Sequence, residues 1–494
     1  MVITLSIVVI ISFCQSKDKK VNQPLPKGSI PLNKVFDPKV APCMFIVPQL
    51  KPLERLDGKG TIGLKAKDCG QCHQSIYKEW SQTTHSSALS DLQFQAEIAK
   101  KDVPKWQCLN CHIPIQNQRE YFVTHLVDGD ILKPVKKNNP GFDPEMKKEA
   151  ITCATCHVRA DKQGKSFIYG AIGRSDGNNN GTNPPHPVKK NKRFLRKRCF
   201  YCHNVTKSPI EDRTLCFFTT GQEWRGGPYG PGQAGIDKDR YSGKKDCVDC
   251  HMPLTKRKIA DLDKTDPDKQ IPERSSHLHY WVGGGVPKSF KTYDTLIDRG
   301  FVTALKVDTS RITKLVPGKE NTFHVILENT DINGHSLPTG DGERFILIEA
   351  TLRDGDKQVL ERKHYKIYRE MEWSISPPNL TDNRLNPLEK INWTFKMKLP
   401  KELDKSQLVI TALHVRLLPK TAAFMKNTPN IDPLYAGKVK NVENHYPFSS
   451  YVFKEVIHLK DNSRKKFEMK ELIELSKQRK GKTQLDELKR VEAY

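Results

Sequence analysis

The alternation of apolar and polar positions changes character several times along the chain. Residues 3–13, ITLSIVVIISF, form an unbroken apolar run, too short for a bilayer span, which needs about 20 residues. Pro, Lys and Gly are frequent from 15 to 60 and periodicity is weak, so this part reads as a tether with a loosely ordered lead-in. Between 61 and about 290 the pattern predicts helices over 74–100 and 145–156 and shorter ones further on. Loop sequence such as GRSDGNNNGTNPPHPVKKNK separates them. Beyond residue 300 the period becomes two: FVTALKVD, NTFHVILEN, RFILIEATLRD, KINWTFKMKL and LVITALHVRLL alternate, with turn residues between them. These strands predict an antiparallel sandwich. Residues 461–494 read as a charged, solvent-facing tail with a short helix.

Composition sharpens this picture in one respect. Only 36% of the 494 residues are hydrophobic, which is little for a chain that must build two or three cores unaided. The formal net charge is +25. A basic balance suits nucleic acid, acidic proteins or anionic membranes, but no nucleic-acid fold signature accompanies it, and no nucleic-acid partner is expected.

The cysteines carry the chemistry. Ten of thirteen fall in five C-x-x-C-H motifs: Cys69, Cys72 and His73; Cys108, Cys111 and His112; Cys153, Cys156 and His157; Cys199, Cys202 and His203; Cys247, Cys250 and His251. Two thiols three apart can add to the two vinyl groups of one porphyrin. The histidine that follows then lies under the ring and offers its imidazole to iron, so the motif reads as c-type haem attachment. Zinc knuckles also pair cysteines, but they need no histidine directly after every second one. A redox-active thiol pair is a poorer fit, since no thioredoxin-like pattern surrounds any copy. Five c-type haems are therefore expected, with His73, His112, His157, His203 and His251 as proximal iron ligands. Their apolar faces would supply the interior that the composition lacks.

The apolar run ends at Cys14, followed by the polar QSKDKK. This looks like a bacterial lipoprotein signal with Cys14 as the lipidated residue, although no basic residue precedes the run; an ordinary cleaved signal peptide is the alternative. Either reading implies export, and an exported compartment permits a disulfide between the spare Cys43 and Cys216. Gln15, where an aspartate would favour inner-membrane retention, weakly suggests the outer membrane. The expected place is the cell envelope on the periplasmic side, held by a lipid anchor. The organisation is then a signal at 1–14, a tether at 15–60, a pentahaem cytochrome c domain at 61–295, a sandwich at 296–460 and a charged helical tail at 461–494.

The sixth ligand decides what each iron can do: a second histidine closes it for electron transfer, and an open position admits substrate. His85 follows His73 by twelve residues, about 18 Å along a continuous helix, so it points to a neighbouring iron.

CGQCHQSIYKEWSQTTHSSAL, GQEWRGGPYG, CVDCHMP, HYWVGG, GHSLPTG and DNRLNPLE resemble segments of the multihaem cytochromes c related to the tetrahaem partner of hydroxylamine oxidoreductase. The resemblance covers about 61–415. It implies an α plus irregular haem domain followed by an all-β immunoglobulin-like sandwich, with His85, His279 and His335 as distal ligands. His125 and His186 are candidates to complete the set, and His277 rivals His279, since both lie on one face of an extended strand. Ligation by His335 would dock the sandwich onto the haem domain. His324, His364, His414, His445 and His458 receive no function.

Two further features have softer readings. The run VKKNKRFLRKR at 188–198 is either a neutralising or steering patch or a solvated loop. Trp224 and Arg225, beside Glu223, are expected against porphyrin and propionate. The function expected is an exported electron carrier with mostly bis-histidine haems that serves redox partner proteins. The alternative is an oxidoreductase acting on a small nitrogen or sulfur compound of the nitrite, hydroxylamine or tetrathionate type at one open haem.

Overall fold

In the C-terminal half, alternate residues of successive strands turn toward one interior. The computed structural model describes residues 24–39, 41–171, 184–205, 218–231, 245–261, 271–281, 283–370 and 381–493; Cys14 and Cys216, and with them the expected signal and disulfide, lie outside the described residues. Eight strands, β1 (Leu305–Asp308), β2 (Glu320–Asn329), β3 (Phe345–Arg353), β4 (Val359–Ile367), β5 (Lys390–Lys398), β6 (Gln407–Val415), β7 (Ser449–His458) and β8 (Arg464–Lys466), form two antiparallel sheets. Their orders are β1-β2-β5 and β4-β3-β6-β7-β8. Phe323, Val325 and Leu327 of β2 and Trp393, Phe395 and Met397 of β5 meet Ile346, Ile348, Leu352, Leu408 and Ile410 of the opposite sheet in one core.

The two sheets differ in how they are buried. β2 and β5 alternate, as strands with one wet face must. β3 is buried at eight successive positions because both of its faces are covered. Phe345 and Leu347 on its second face pack with Ala422, Met425, Val439 and Leu488 from helices Pro419–Asn427, Pro433–Lys440 and Lys482–Lys489. Leu92 and Ala96, from helix Leu92–Ala99 in the N-terminal half, join the same cluster. The two halves therefore share a core. The expected solvent-facing tail belongs to it as well: Leu472, Ile473, Leu488 and Val491 are buried. Within its two helical stretches apolar residues recur three or four apart, Met469, Leu472 and Ile473, then Leu485, Leu488 and Val491, and these short stripes override its high charge.

The N-terminal half is built of short helices and small sheets with only small apolar clusters. Four motifs lie on helices that end at their histidines, Lys105–His112, Cys153–His157, Phe200–His203 and Cys247–His251; the first lies on Ala66–Gly70. The stretch expected as a tether packs from residue 24 onward. Met44 and Phe36 join Trp106, Leu126 and Ile131, while Val47, Leu50 and Leu53 join Ile115 and Met146. The helix expected over 74–100 is two, Gln74–Ser81 and Leu92–Ala99. Asp91 restarts it by accepting the Phe94 amide at 2.9 Å. The helix expected over 145–156 is likewise interrupted, with Ala150 at a φ of 53° between Pro144–Lys148 and Cys153–His157. Among the described residues no helix is long and apolar enough to cross a membrane.

Phe323 is 1% exposed and stacks on Phe395 at 5.2 Å. Phe323→Ala should therefore cost about 3–5 kcal/mol and lower the Tm of the sandwich in calorimetry. The haem content of purified protein should stay unchanged, because this core touches no C-x-x-C-H motif.

Candidate metal centres

Four of the five motif histidines face a second imidazole. His73 lies opposite His186 with ring centroids 6.5 Å apart, His203 opposite His85 at 6.2 Å, His157 opposite His279 at 6.1 Å and His251 opposite His335 at 6.3 Å. A metal–imidazole bond is about 2 Å, and each ring nitrogen lies roughly 1 Å from its ring centre. Two imidazoles on opposite sides of one metal thus have centres about 6 Å apart. The pairs have that spacing, and it is too wide for direct hydrogen bonding between the rings. Among the described residues there is no group of three or more His, Cys, Asp or Glu able to hold a metal ion by themselves. The residues therefore fit a planar tetradentate ring between two axial imidazoles, and they do not form the four-ligand shell of structural zinc.

His112 differs. Its ring neighbour is Phe94, stacked at 3.5 Å with an interplanar angle of 1°. The other candidates lie elsewhere: His125 is on strand Tyr121–Val127 with Nδ1 3.0 Å from the Thr124 hydroxyl, and His277 holds the Met252 carbonyl at 2.5 Å. Neither is brought against a motif histidine. His85 lies in the turn-rich segment between two helices and meets His203, so it reaches a different motif from the one it follows, although the continuous helix behind that expectation is absent.

Backbone carbonyls set the tautomers. Nδ1 of His73, His112, His157 and His279 lies 2.5, 2.6, 2.9 and 3.0 Å from the carbonyls of Ile259, Ala88, Tyr169 and His277. An N–H donated there leaves the Nε2 lone pair free for a metal. Burial lowers the pKa of His85 and His279 to about 3 and of His112, His186, His203 and His335 to about 4, and it also lowers His157 and His251. Yet His203 and His251 keep exposed surface and the other rings keep part of theirs. The paired imidazoles thus leave accessible surface between them, room into which a flat ring would fit.

The motifs touch one another across this space. The Cys69 thiol contacts that of Cys153, Cys111 contacts Cys202, and Cys199 contacts Cys247. Arg196, from the basic run at 188–198, holds Asp246 at 2.6 Å and Asp249 at 2.9 Å. It thereby ties the helix leading into Cys199 to the one that starts at Cys247. Part of that run is thus an internal clamp. Cys43 is a free thiol beside Cys202, which raises its pKa together with the larger effect of burial.

Two largely enclosed carboxylates to which the sequence reading gave no role, Glu79 and Glu223, position the partner histidines. Glu79 accepts the His279 amide at 2.8 Å and pairs with Arg257 at 2.6 Å. Glu223 pairs with Arg384 at 2.7 Å and accepts from the Thr339 hydroxyl at 2.7 Å and the Ser336 amide at 3.3 Å, which grips the loop that carries His335. Burial opposes ionisation of Glu223, but Arg384 and the Thr219 and Thr339 hydroxyls outweigh it and its pKa is lowered. The approach is close: a Cβ at Gly227 would collide with the Gly334 carbonyl oxygen. Trp224 stacks edge-on to Phe200 at 5.4 Å and donates to the Lys245 carbonyl at 2.8 Å; Arg225 lies over the Phe200 ring at 5.2 Å. Each glutamate directly precedes a tryptophan, in KEW and QEW, and that repeated pair was the available signal.

A family model described as cytochrome c554 and c-prime matches residues 68–157, the span of the first three motifs. The crystal structure of a penta-heme cytochrome c552 from Thermochromatium tepidum aligns with 84% of this chain and 100% of that one, at 17% identity and a TM-score of 0.48. No curated protein matches. The five repeated motifs and the family match over residues 68–157 support a multihaem c-type cytochrome.

Removing one member of a buried ion pair costs about 3–5 kcal/mol. Glu223→Ala should lower the Tm of the holoprotein and, where His251 and His335 hold an iron between them, give that iron partial high-spin character in electron paramagnetic resonance. An unaltered spectrum would remove the positioning role of Glu223.

Proposed function

We propose that the protein binds five c-type haems through its ten motif cysteines and passes electrons among them. The observation that carries this reading is the four imidazole pairs with centroids 6.1–6.5 Å apart. Bound haem supplies reversible one-electron chemistry, tuned by axial ligands, hydrogen bonds and burial. In this reading His73, His112, His157, His203 and His251 are proximal ligands, and His186, His85, His279 and His335 close the irons opposite His73, His203, His157 and His251. The thiol contacts between motifs support an array in which neighbouring sites adjoin, with the fourth motif touching both the second and the fifth.

A second reading is favoured by one observation: among the described residues His112 is the motif histidine that no second imidazole faces, Phe94 stacking on its ring instead. The iron at His112 then has one histidine and an open side, and reduction or oxidation of a small nitrogen or sulfur compound would take place there. Electron transfer through the four closed sites remains the principal role and would serve that site.

The remaining features belong to the same proposal. The protein is exported, acylated at Cys14 and held at the periplasmic side of the envelope, on the outer membrane by the weak signal of Gln15. There it exchanges electrons with partner proteins and binds no nucleic acid. The domains are those at 61–295 and 296–460, and kinship with the tetrahaem partner of hydroxylamine oxidoreductase is part of the reading. The strand orders β1-β2-β5 and β4-β3-β6-β7-β8 support an immunoglobulin-like type for the sandwich.

Paramagnetic resonance of the oxidised holoprotein should show four low-spin irons and one high-spin iron, and carbon monoxide should change the reduced spectrum of one haem only. His335→Ala should add a second high-spin iron. Five low-spin signals with no response to carbon monoxide would eliminate the open site, and an unchanged His335→Ala spectrum would eliminate that ligand. Mass spectrometry of the mature N-terminus should find an acylated Cys14; a start elsewhere would rule out the anchor.

A further inference from the structure

Where the haem half meets the sandwich, cations are buried in excess of anions. Arg416 follows β6 and is 2% exposed. One terminal nitrogen donates to the carbonyls of Val286 and Pro287, the latter at 3.0 Å, and its guanidinium lies 4.7 Å from the Tyr446 ring centre. Its Nε and Nη1 have no partner. His414, on β6 and 7% exposed, holds the Gly284 carbonyl at 2.7 Å through Nδ1, and its Nε2 has no partner. Arg344, just before β3, also has an unpartnered Nε.

The neighbouring anions are already engaged. Asp91 forms an ion pair with Lys288, accepts from the Tyr446 hydroxyl at 3.1 Å and caps the Phe94 amide. Asp341, the other carboxylate that acts on Arg344, accepts the Glu343 amide at 3.2 Å. Arg416 therefore lacks a counter-ion of its own, since Asp91 is taken by Lys288, and half-buried Arg344 has only Asp341 beside it, in a region where an uncompensated buried ion costs several kcal/mol.

The place of this cluster suggests what fills it. Asp91 leads through Phe94 to the stacked ring of His112, and Arg344 acts electrostatically on His203. The unpartnered nitrogens thus lie on the side of the molecule that carries the second and fourth motifs.

We propose that Arg344 and Arg416 form a receptor for a carboxylate or similar oxyanion at the seam between the haem domain and the sandwich, on the side of His112 and His203; His414, whose Nδ1 proton is held by the Gly284 carbonyl, presents only a lone pair there and is not part of it. The proposal rests on the haem reading above. Two sources present this chemistry: the propionate of an adjacent haem, and a dissolved oxyanion drawn to the open side of the His112 site. A guanidinium beside a haem propionate disfavours the extra positive charge of the oxidised iron, so its removal lowers the reduction potential.

The test is spectroelectrochemical titration of intact holoprotein, wild type against Arg416→Gln, Arg344→Gln and the charge-preserving Arg416→Lys, after haem is counted per chain. Each titration is repeated with sodium acetate and with inorganic phosphate, both weak ligands of haem iron. If a propionate is the occupant, both glutamine variants shift one haem to lower potential, Arg416→Lys restores it in part, and neither salt has an effect. If a dissolved anion is the occupant, acetate or phosphate shifts one wild-type haem saturably and the glutamine variants lose the response. Loss of haem in a glutamine variant that Arg416→Lys rescues also supports the receptor. Unchanged potentials in both glutamine variants, with all haems present and no salt response, would overturn it. Fewer than five haems in wild type would count against the pentahaem reading instead.

Discussion

A neutral imidazole can bind a metal and a protonated one cannot, and the facing histidines of this protein are held neutral and at a set separation. Burial does the first: the rings at His85, His203, His279 and His335 have pKa values of about 3–4, well below the usual 6.5 or so. Carbonyls at Nδ1 and the largely enclosed carboxylates Glu79 and Glu223 do the second. The cost is an interior with few apolar side chains of its own. Small clusters such as that of Phe36, Met44 and Trp106 stand in place of one large apolar core in this half.

The same constraint explains why the halves are inseparable. One member of an imidazole pair comes from the sandwich, and its loop is gripped through Glu223 and Arg384. On another side, Leu92 and Ala96 enter the core beneath β3. Apolar contact and a charged clamp thus fix the β-rich region relative to the motif histidines from two directions. The seam between these contacts is where the guanidinium groups of Arg344 and Arg416 lie.

How much of this was legible depended on range. The spacing inside C-x-x-C-H is local chemistry, and five copies stood out at once. The five strand segments beyond residue 300 were equally plain, because an alternating period needs only near neighbours. Strand β4, VLERKHYKI, was harder to see: it lies at a sheet edge and carries many polar residues. Residues 24–60 lack periodicity and still pack, since Met44 and Leu53 answer to partners far along the chain. The partner histidines are long-range by nature. Twelve residues separate His73 from His85, but that spacing alone did not identify His203 as the partner of His85, and nothing near His112 announced Phe94. His414 looked like an ordinary strand residue, and only its unpartnered nitrogen beside two arginines set it apart.

The loop that bears His335 lies far downstream of the last attachment motif, which has a consequence for biogenesis. A nascent chain can receive every covalent graft before the segment that completes the site opposite His251 has emerged. Premature termination between His279 and His335 would therefore leave a polypeptide with every attachment motif but without the imidazole that faces His251. Finishing the β-rich region becomes the last safeguard in maturation.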